Sequence, residues 1–234
     1  QKQYITDIVG KNRDGDSFKG VGFRTYLMSA HEKEDTHAPN IAIITAAGTI
    51  VDGDLPVGVA AGDTIARKLK QAREDDEVKA VVLRVDSPGG SAFASEIMRE
   101  EVLALKEAGK PVVVSMGSLA ASGGYWISAN ADEIWAAPTT ITGSIGIFGF
   151  VQTYEETAAW AGVHTDGVGT TELAPVLNAG IGPLPEAFSS ILQQSTENGY
   201  DRFLTVVSTG RDLTKAQVDA IGQGRVWIGE RALG

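Results

Sequence analysis

The chain contains no cysteine, which excludes disulfide bonds, thiol catalysis and thiolate metal sites. Basic residues are few: 20 lysines and arginines stand against 30 aspartates and glutamates, so the formal net charge is −10. A nucleic-acid-binding protein needs a basic face, and this balance argues against one. The sequence also has no apolar run near the roughly 18 residues that span a bilayer, and no secretory leader pattern opens it.

What is present is ordinary globular composition. The 234 residues are 43% hydrophobic and include 28 glycines, which suits one large domain, or two small ones, with many tight turns. Gln1 is not a natural initiator, and the last residues do not resemble a terminal tail. We therefore expect a piece of a longer protein, with any membrane anchor or targeting signal outside it.

From residue 41 onward, apolar runs alternate with segments of helical spacing. This alternation predicts an α/β fold with a mainly parallel sheet and a C-terminal helical layer. We expect residues 1–40 to be a linker or junction and residues 41–234 to form the domain. The predicted strands cover residues 41–44, 80–85, 112–115 and 133–136, and the first of them is expected to be buried on both faces. The predicted helices cover residues 62–74, 91–108, 122–131, 153–161, 186–208 and 214–221. Ser91 is the expected N-cap of the second helix, and Gly109 is expected to end it.

The most informative residue is Ser122, which lies between small residues where the strand beginning at Val112 gives way to a helix. A hydroxyl at such a turn can attack a carbonyl, and backbone amides at the helix start can stabilise the oxyanion. The local pattern alone favours a simpler role as a helix N-cap. Because Ala120 replaces the first glycine of G-x-S-x-G, the nucleophile-elbow motif is only half met.

Two glycine-containing segments can likewise be interpreted either as parts of a functional site or as simple turns. Gly89 and Gly90 follow a predicted strand, where backbone amides can approach a ligand, although a plain Pro-Gly turn explains them equally well. Ser144 lies between glycines in the segment Thr142–Gly146, which by itself favours a turn into an apolar strand. Both Gly89–Gly90 and Ser122 follow neighbouring strands, so we expect them to face one cleft.

A general base for Ser122 is hard to find. His31 and His37 fall in a charged loop, and His164 falls in a predicted strand with no acid placed to orient it. A buried lysine can serve as base, but the only lysine after Ser122 is Lys215, at an exposed-looking helix start.

Several blocks together resemble the bacterial signal peptide peptidase A family, which has the ClpP/crotonase-like fold. The resemblance covers nearly all of the chain from residue 41 onward, and its most specific part is the serine-centred block over residues 115–128. The other matching blocks cover residues 85–90, 142–146 and 224–229.

The resemblance implies a serine peptidase with a Ser–Lys dyad. Ser122 falls on the family's nucleophile, and Ser144 on the serine that orients the lysine. Gly89 and Gly90 fall on the oxyanion-hole loop, with the backbone near Gly123 beside it. The family cleaves leftover signal peptides, which are apolar, at the cytoplasmic membrane, and it needs no metal or nucleotide cofactor.

The chain departs from the single-domain members of the family because residues 169–176, where their lysine is expected, contain none. Long members carry two tandem halves, in which the amino-terminal half supplies the lysine and the carboxy-terminal half the serine. This chain resembles such a carboxy-terminal half, which implies that its partner is the amino-terminal half of the same polypeptide. The family likeness further implies a homotetramer facing the periplasm.

Two other hypotheses remain. The chain could be a non-catalytic assembly half with a vestigial Ser122, or a crotonase-type acyl-CoA enzyme. The latter needs a carboxylate in the cleft and a basic patch for CoA phosphates, and the acidic balance speaks against it.

Overall fold

A computed structural model of the chain divides into two compact units, Gln1–Pro39 and Asn40–Gly234. It describes residues 40–166, 168–171, 173, 180–182 and 184–233 of the second unit. Of the first unit it describes residues 7, 10, 11, 14, 15, 19 and 20. His31 and His37 lie outside the described residues.

In the first half of the described residues a helix lies between each pair of successive long strands, as the sequence predicts. In chain order the described elements are β1 Asn40–Ala47, β2 Ile50–Val51, β3 Ala60–Ala61, α1 Gly62–Glu74, β4 Val78–Ser87, α2 Ala92–Glu107, β5 Val112–Ala121, α3 Gly123–Trp126, β6 Glu133–Trp135, β7 Ile141–Gly143, α4 Glu155–Trp160, α5 Glu186–Arg211, α6 Lys215–Ile221, β8 Val226–Ile228 and α7 Gly229–Ala232. The predicted α/β class, mainly parallel sheet and C-terminal helical region are confirmed.

The main sheet has the strand order β1-β4-β5-β7-β8, and β6 pairs with the first half of β5. Its described pairings are parallel except for β7 with β8. The carboxyl ends of β4, β5 and β7 therefore meet at one edge, where Ser87 pairs with Ala120 and Ala121 with Gly143.

The larger core lies between this sheet and helices α1 and α2. Leu69 of α1 and Met98, Val102 and Leu105 of α2 are completely buried against the strands. A second core packs α3 against α5 and α6 through Trp126, Phe203, Val207 and Val218, among others. Within the described residues, no helix has the length and apolar composition needed to cross a membrane.

Several predicted elements differ from the structure. The strand at Ile41–Ile44 is not buried on both faces, because Ile41 and Ile43 are 62% and 73% exposed on the side of the sheet away from α1 and α2. The helix predicted over residues 122–131 stops at Trp126, and only turns follow it. His164 lies in an exposed irregular segment rather than in a strand. Apolar composition indicated where these segments lie in the chain, but it did not show their length, their type or which face is buried.

Candidate active site

Ser122 lies at the sharp turn between β5 and α3. Its backbone has φ 51° and ψ −120°, a conformation that a residue with a Cβ rarely adopts. The turn is held by hydrogen bonds: the Ser122 amide donates to the Gly143 carbonyl at 2.9 Å, and the Ser122 carbonyl accepts from Tyr125 and Trp126 at 2.9 Å each. A strained residue fixed in this way is a feature of functional turns.

The Ser122 hydroxyl does not cap the helix that it precedes. Ser122 occupies the N-cap position of α3, but no side-chain capping bond forms there, so the capping role that the local pattern favoured is wrong. The residue is partly exposed. No capping bond therefore offsets the backbone strain at Ser122. The turn places the residue at the sheet edge, as in the strand-turn-helix geometry of a nucleophile elbow.

Gly89 packs directly under this turn. Its φ is +98°, and a methyl group there would lie 2.6 Å from the Gly123 amide nitrogen and 2.7 Å from Ser122 Cβ. The structure therefore brings the Gly89–Gly90 loop and Ser122 together, as the sequence predicted. Gly90 is held from the other side by a bridge to Ile50, whose carbonyl oxygen would lie 2.0 Å from an added methyl group.

The amides at this junction differ in what they bind. The Gly89 amide donates to Ser87 Oγ at 3.1 Å. Within the described part of the chain, the amides of Gly90 and Gly123 donate to no acceptor. Gly123 is buried, and a buried amide without a partner is uncommon in folded proteins. These two amides are thus available to a ligand oxygen.

Ser144 directly follows β7, so it lies beside Ser122 across the Ala121–Gly143 pair. It also has a positive φ, 49°, and its amide donates to the Arg225 carbonyl at 2.7 Å. Gly143 packs on Trp227 so closely that a methyl group would lie 2.7 Å from the indole ring. The predicted apolar strand after Ser144 does not form, and residues 144–154 are irregular. Ile145 is core, whereas Phe148 is 90% exposed.

Five of the six described lysines of this unit form side-chain contacts, and all of these contacts lie away from Ser122: Lys70, Lys79, Lys106, Lys110 and Lys215. Lys106 binds the Asn130 carbonyl and Asp132, and Lys110 binds the Ala72 and Asp75 carbonyls. Lys215 forms an exposed ion pair with Asp201 at 2.7 Å. None of these contacts involves Ser122 or Ser144, so the described residues of this unit give Ser122 no lysine partner.

Sequence reasoning missed the supporting residues. Ser87 is fully buried and orients the Gly89 amide, and buried Ser95 places its hydroxyl oxygen 2.5 Å from where a Cβ of Gly123 would lie. Ser87 directly precedes Pro88-Gly89-Gly90, which was the available signal. In the described part of the chain, no group of three or more histidine, aspartate or glutamate side chains is arranged to hold a metal ion.

The fold and the site define an α/β protein with a strained serine at the carboxyl edge of a mainly parallel sheet. Residues 104–234 match the family described as Peptidase family S49. The chain belongs to this peptidase family.

Curated relatives agree with this assignment. The chain is 51% identical to Protease 4 of Haemophilus influenzae over 97% of its own length and 37% of that protein. It is 46% identical to Protease 4 of Salmonella typhi over 97% of its length and 36% of that protein. A chloroplastic serine protease SPPA of Arabidopsis thaliana is 34% identical over 82% of this chain and 29% of that protein. The chain thus spans between 29% and 37% of the length of these relatives.

A solved structure is also similar. A point mutant of ClpP1 from Listeria monocytogenes aligns with a TM-score of 0.49 and 11% identity, covering 81% of this chain and 84% of that one.

Proposed function

We propose that this chain is the serine-bearing half of a peptidase with a split Ser–Lys dyad. The observation that carries the proposal is the Ser122 turn: a strained serine with an uncommitted hydroxyl, directly followed by a buried amide with no acceptor among the described residues. Membership of Peptidase family S49 supports proteolysis as the chemistry.

In this proposal Ser122 Oγ attacks the scissile carbonyl and passes its proton to an uncharged lysine amine supplied from outside this chain. The Gly123 amide, with the Gly89–Gly90 loop beside it, stabilises the oxyanion. The lysine ammonium then protonates the departing amine, and water hydrolyses the acyl-enzyme. Ser144, next to Ser122 at the sheet edge, orients the lysine.

The proposed substrates are apolar peptides, residual signal peptides in particular, cleaved at the periplasmic face of the bacterial cytoplasmic membrane. The amino-terminal half of the same polypeptide is the proposed source of the lysine, and a homotetramer is the proposed assembly. The chain covers 37% and 36% of the length of two Protease 4 relatives, which is consistent with an additional half in the complete protein.

The test is labelling of Ser122 by a serine-directed phosphonate, read by mass spectrometry. We expect labelling in the complete protein and almost none in the isolated chain, because an unassisted serine hydroxyl is a weak nucleophile. In the complete protein, Ser122→Ala should lower peptide hydrolysis by orders of magnitude. Labelling of the isolated chain would reveal an internal base. No labelling in either form would favour a non-catalytic assembly domain.

A further inference from the structure

Two helices set the geometry of the candidate oxyanion site. Helix α2 follows the Gly89–Gly90 loop, and helix α3 follows Ser122. The Gly89–Gly90 loop and the start of α3 are in such close contact that a single methyl group on Gly89 would overlap the Gly123 amide. The position of α3 relative to α2 therefore decides where the Gly123 amide lies.

Glu96, in the second turn of α2, joins these helices. Its Oε2 accepts a hydrogen bond from the Trp126 indole Nε1 of α3 at 2.7 Å. Both carboxylate oxygens also bind the Arg99 guanidinium, at 2.7 and 2.8 Å. Arg202 of α5 approaches Oε1 to 3.8 Å. One carboxylate thus contacts three helices.

Trp126 transmits this contact to the nucleophile turn. Its backbone amide donates to the Ser122 carbonyl at 2.9 Å, and its indole ring packs on Phe203 with a centroid distance of 4.6 Å. The residue is only 3% exposed. A shift of the indole would therefore move the carbonyl that sets the backbone direction at Ser122.

Stability alone gives little reason for a carboxylate here. The Glu96 side chain is 18% exposed, and a partly buried ion pair often stabilises a fold no more than an apolar side chain of similar size. A hydrogen bond to the indole N–H is, by contrast, directional and fixes the orientation of the ring. The Arg99 guanidinium keeps the pKa of Glu96 below its usual value, so the carboxylate stays ionised.

We propose that Glu96 is a positioning residue for the peptidase reaction: by holding the Trp126 indole, it sets α3 and the Gly123 amide against the Gly89–Gly90 loop. This inference rests on the proposed function, because it assumes that Ser122 is the nucleophile.

The test measures kcat and KM for a chromogenic peptide ester with the complete protein, in wild type, Glu96→Ala, Trp126→Phe and the double variant. We expect each single change to lower kcat about 10- to 100-fold, because small misplacements of catalytic groups have effects of this size. KM should change less than about threefold, since oxyanion contacts form in the transition state. The double variant should be no slower than the slower single variant.

The matched control is Glu101→Ala. Glu101 is also in α2 and 23% exposed, but it pairs with Arg73 of α1, away from α3. It should lower thermal stability to a similar degree and leave kcat within about twofold of wild type. If Glu96→Ala does not fold, Glu96→Gln takes its place, with an expected loss in kcat of at least about threefold.

The outcomes separate the two ideas. A wild-type protein that hydrolyses the ester but is not labelled at Ser122 would overturn the proposed function and this inference with it. Labelling of Ser122 together with unchanged kcat in the Glu96 variants would overturn the inference alone. Equal losses in the Glu96 and Glu101 variants, or fully additive losses in the double variant, would also overturn it.

Discussion

At the residue scale, the main finding concerns backbone conformation rather than side-chain type. Ser122 and Ser144 both have positive φ angles, 51° and 49°, although neither is glycine. Such conformations persist only where the surroundings enforce them, and they cluster at functional sites. At Ser122 the hydrogen bonds to Gly143, Tyr125 and Trp126 supply that enforcement.

The strain at Ser122 makes a prediction about stability. Ser122→Gly and Ser122→Ala both remove the hydroxyl, but only glycine relieves the positive φ. We expect the glycine variant to be more stable than the alanine variant by about 1 kcal/mol, measured by urea unfolding. The control is Ser208 in α5, where Ser208→Gly should instead be less stable than Ser208→Ala. If the alanine variant at Ser122 is as stable as the glycine variant, the conclusion that Ser122 is strained is wrong.

At the element scale, the site depends on where elements end. Strands β4, β5 and β7 run parallel and finish at one edge, and a register shift between Val85 and Ser87 brings Ser87 opposite Ala120, so Ser87, Ser122 and Gly143 converge there. Helix α3 is four residues long, and its position depends on α2 and α5 through Glu96 and Trp126.

The junction of α2, α3 and α5 predicts a pH dependence of stability. The pKa of Glu96 lies below its usual 4.5, chiefly because Arg99 donates hydrogen bonds to it, with a further contribution from Trp126. Near that pH the unfolded chain therefore binds more protons at this residue than the folded chain. The stability that Glu96 contributes is complete above about pH 4.5 and is lost as the pH falls through its lower folded-state pKa.

We accordingly expect the free energy of unfolding to decrease between about pH 5 and pH 3, and to decrease less steeply in Glu96→Gln. Urea unfolding at several pH values measures this slope. Identical slopes in wild type and Glu96→Gln would mean that Glu96 does not contribute.

At the scale of the whole molecule, two hydrophobic cores support the site. The sheet core with α1 and α2 supports the Gly89–Gly90 loop, and the second core of Trp126, Phe203 and their neighbours supports α3. Phe203 is among the largest fully buried side chains, at 1% exposure. The C-terminal helical layer is thus part of the site's support.

Removing that support should have a large effect. We expect Phe203→Ala to lower the free energy of unfolding by about 3 to 5 kcal/mol, because it leaves a cavity against Trp126. The same change at Phe148, which is 90% exposed, should alter it by less than about 0.5 kcal/mol. Guanidinium unfolding followed by circular dichroism measures both values. Similar values for the two variants would contradict the conclusion that Phe203 belongs to a buried second core.

The sequence by itself determined the α/β class, the strand-turn-helix placement of Ser122 and the helix predicted over residues 91–108, because these depend on local apolar spacing, capping residues and glycine. Ser91 does cap α2, by accepting a hydrogen bond from the Ala94 amide. Local patterns also favoured a capping role for Ser122, a strand at His164 and a longer α3, all of which are wrong. Only the tertiary structure decided these, since capping bonds, helix length and sheet faces depend on contacts between residues distant in sequence. The same holds for the packing of Gly89 on Gly123 and the Glu96–Trp126 bond, which join elements about 30 residues apart.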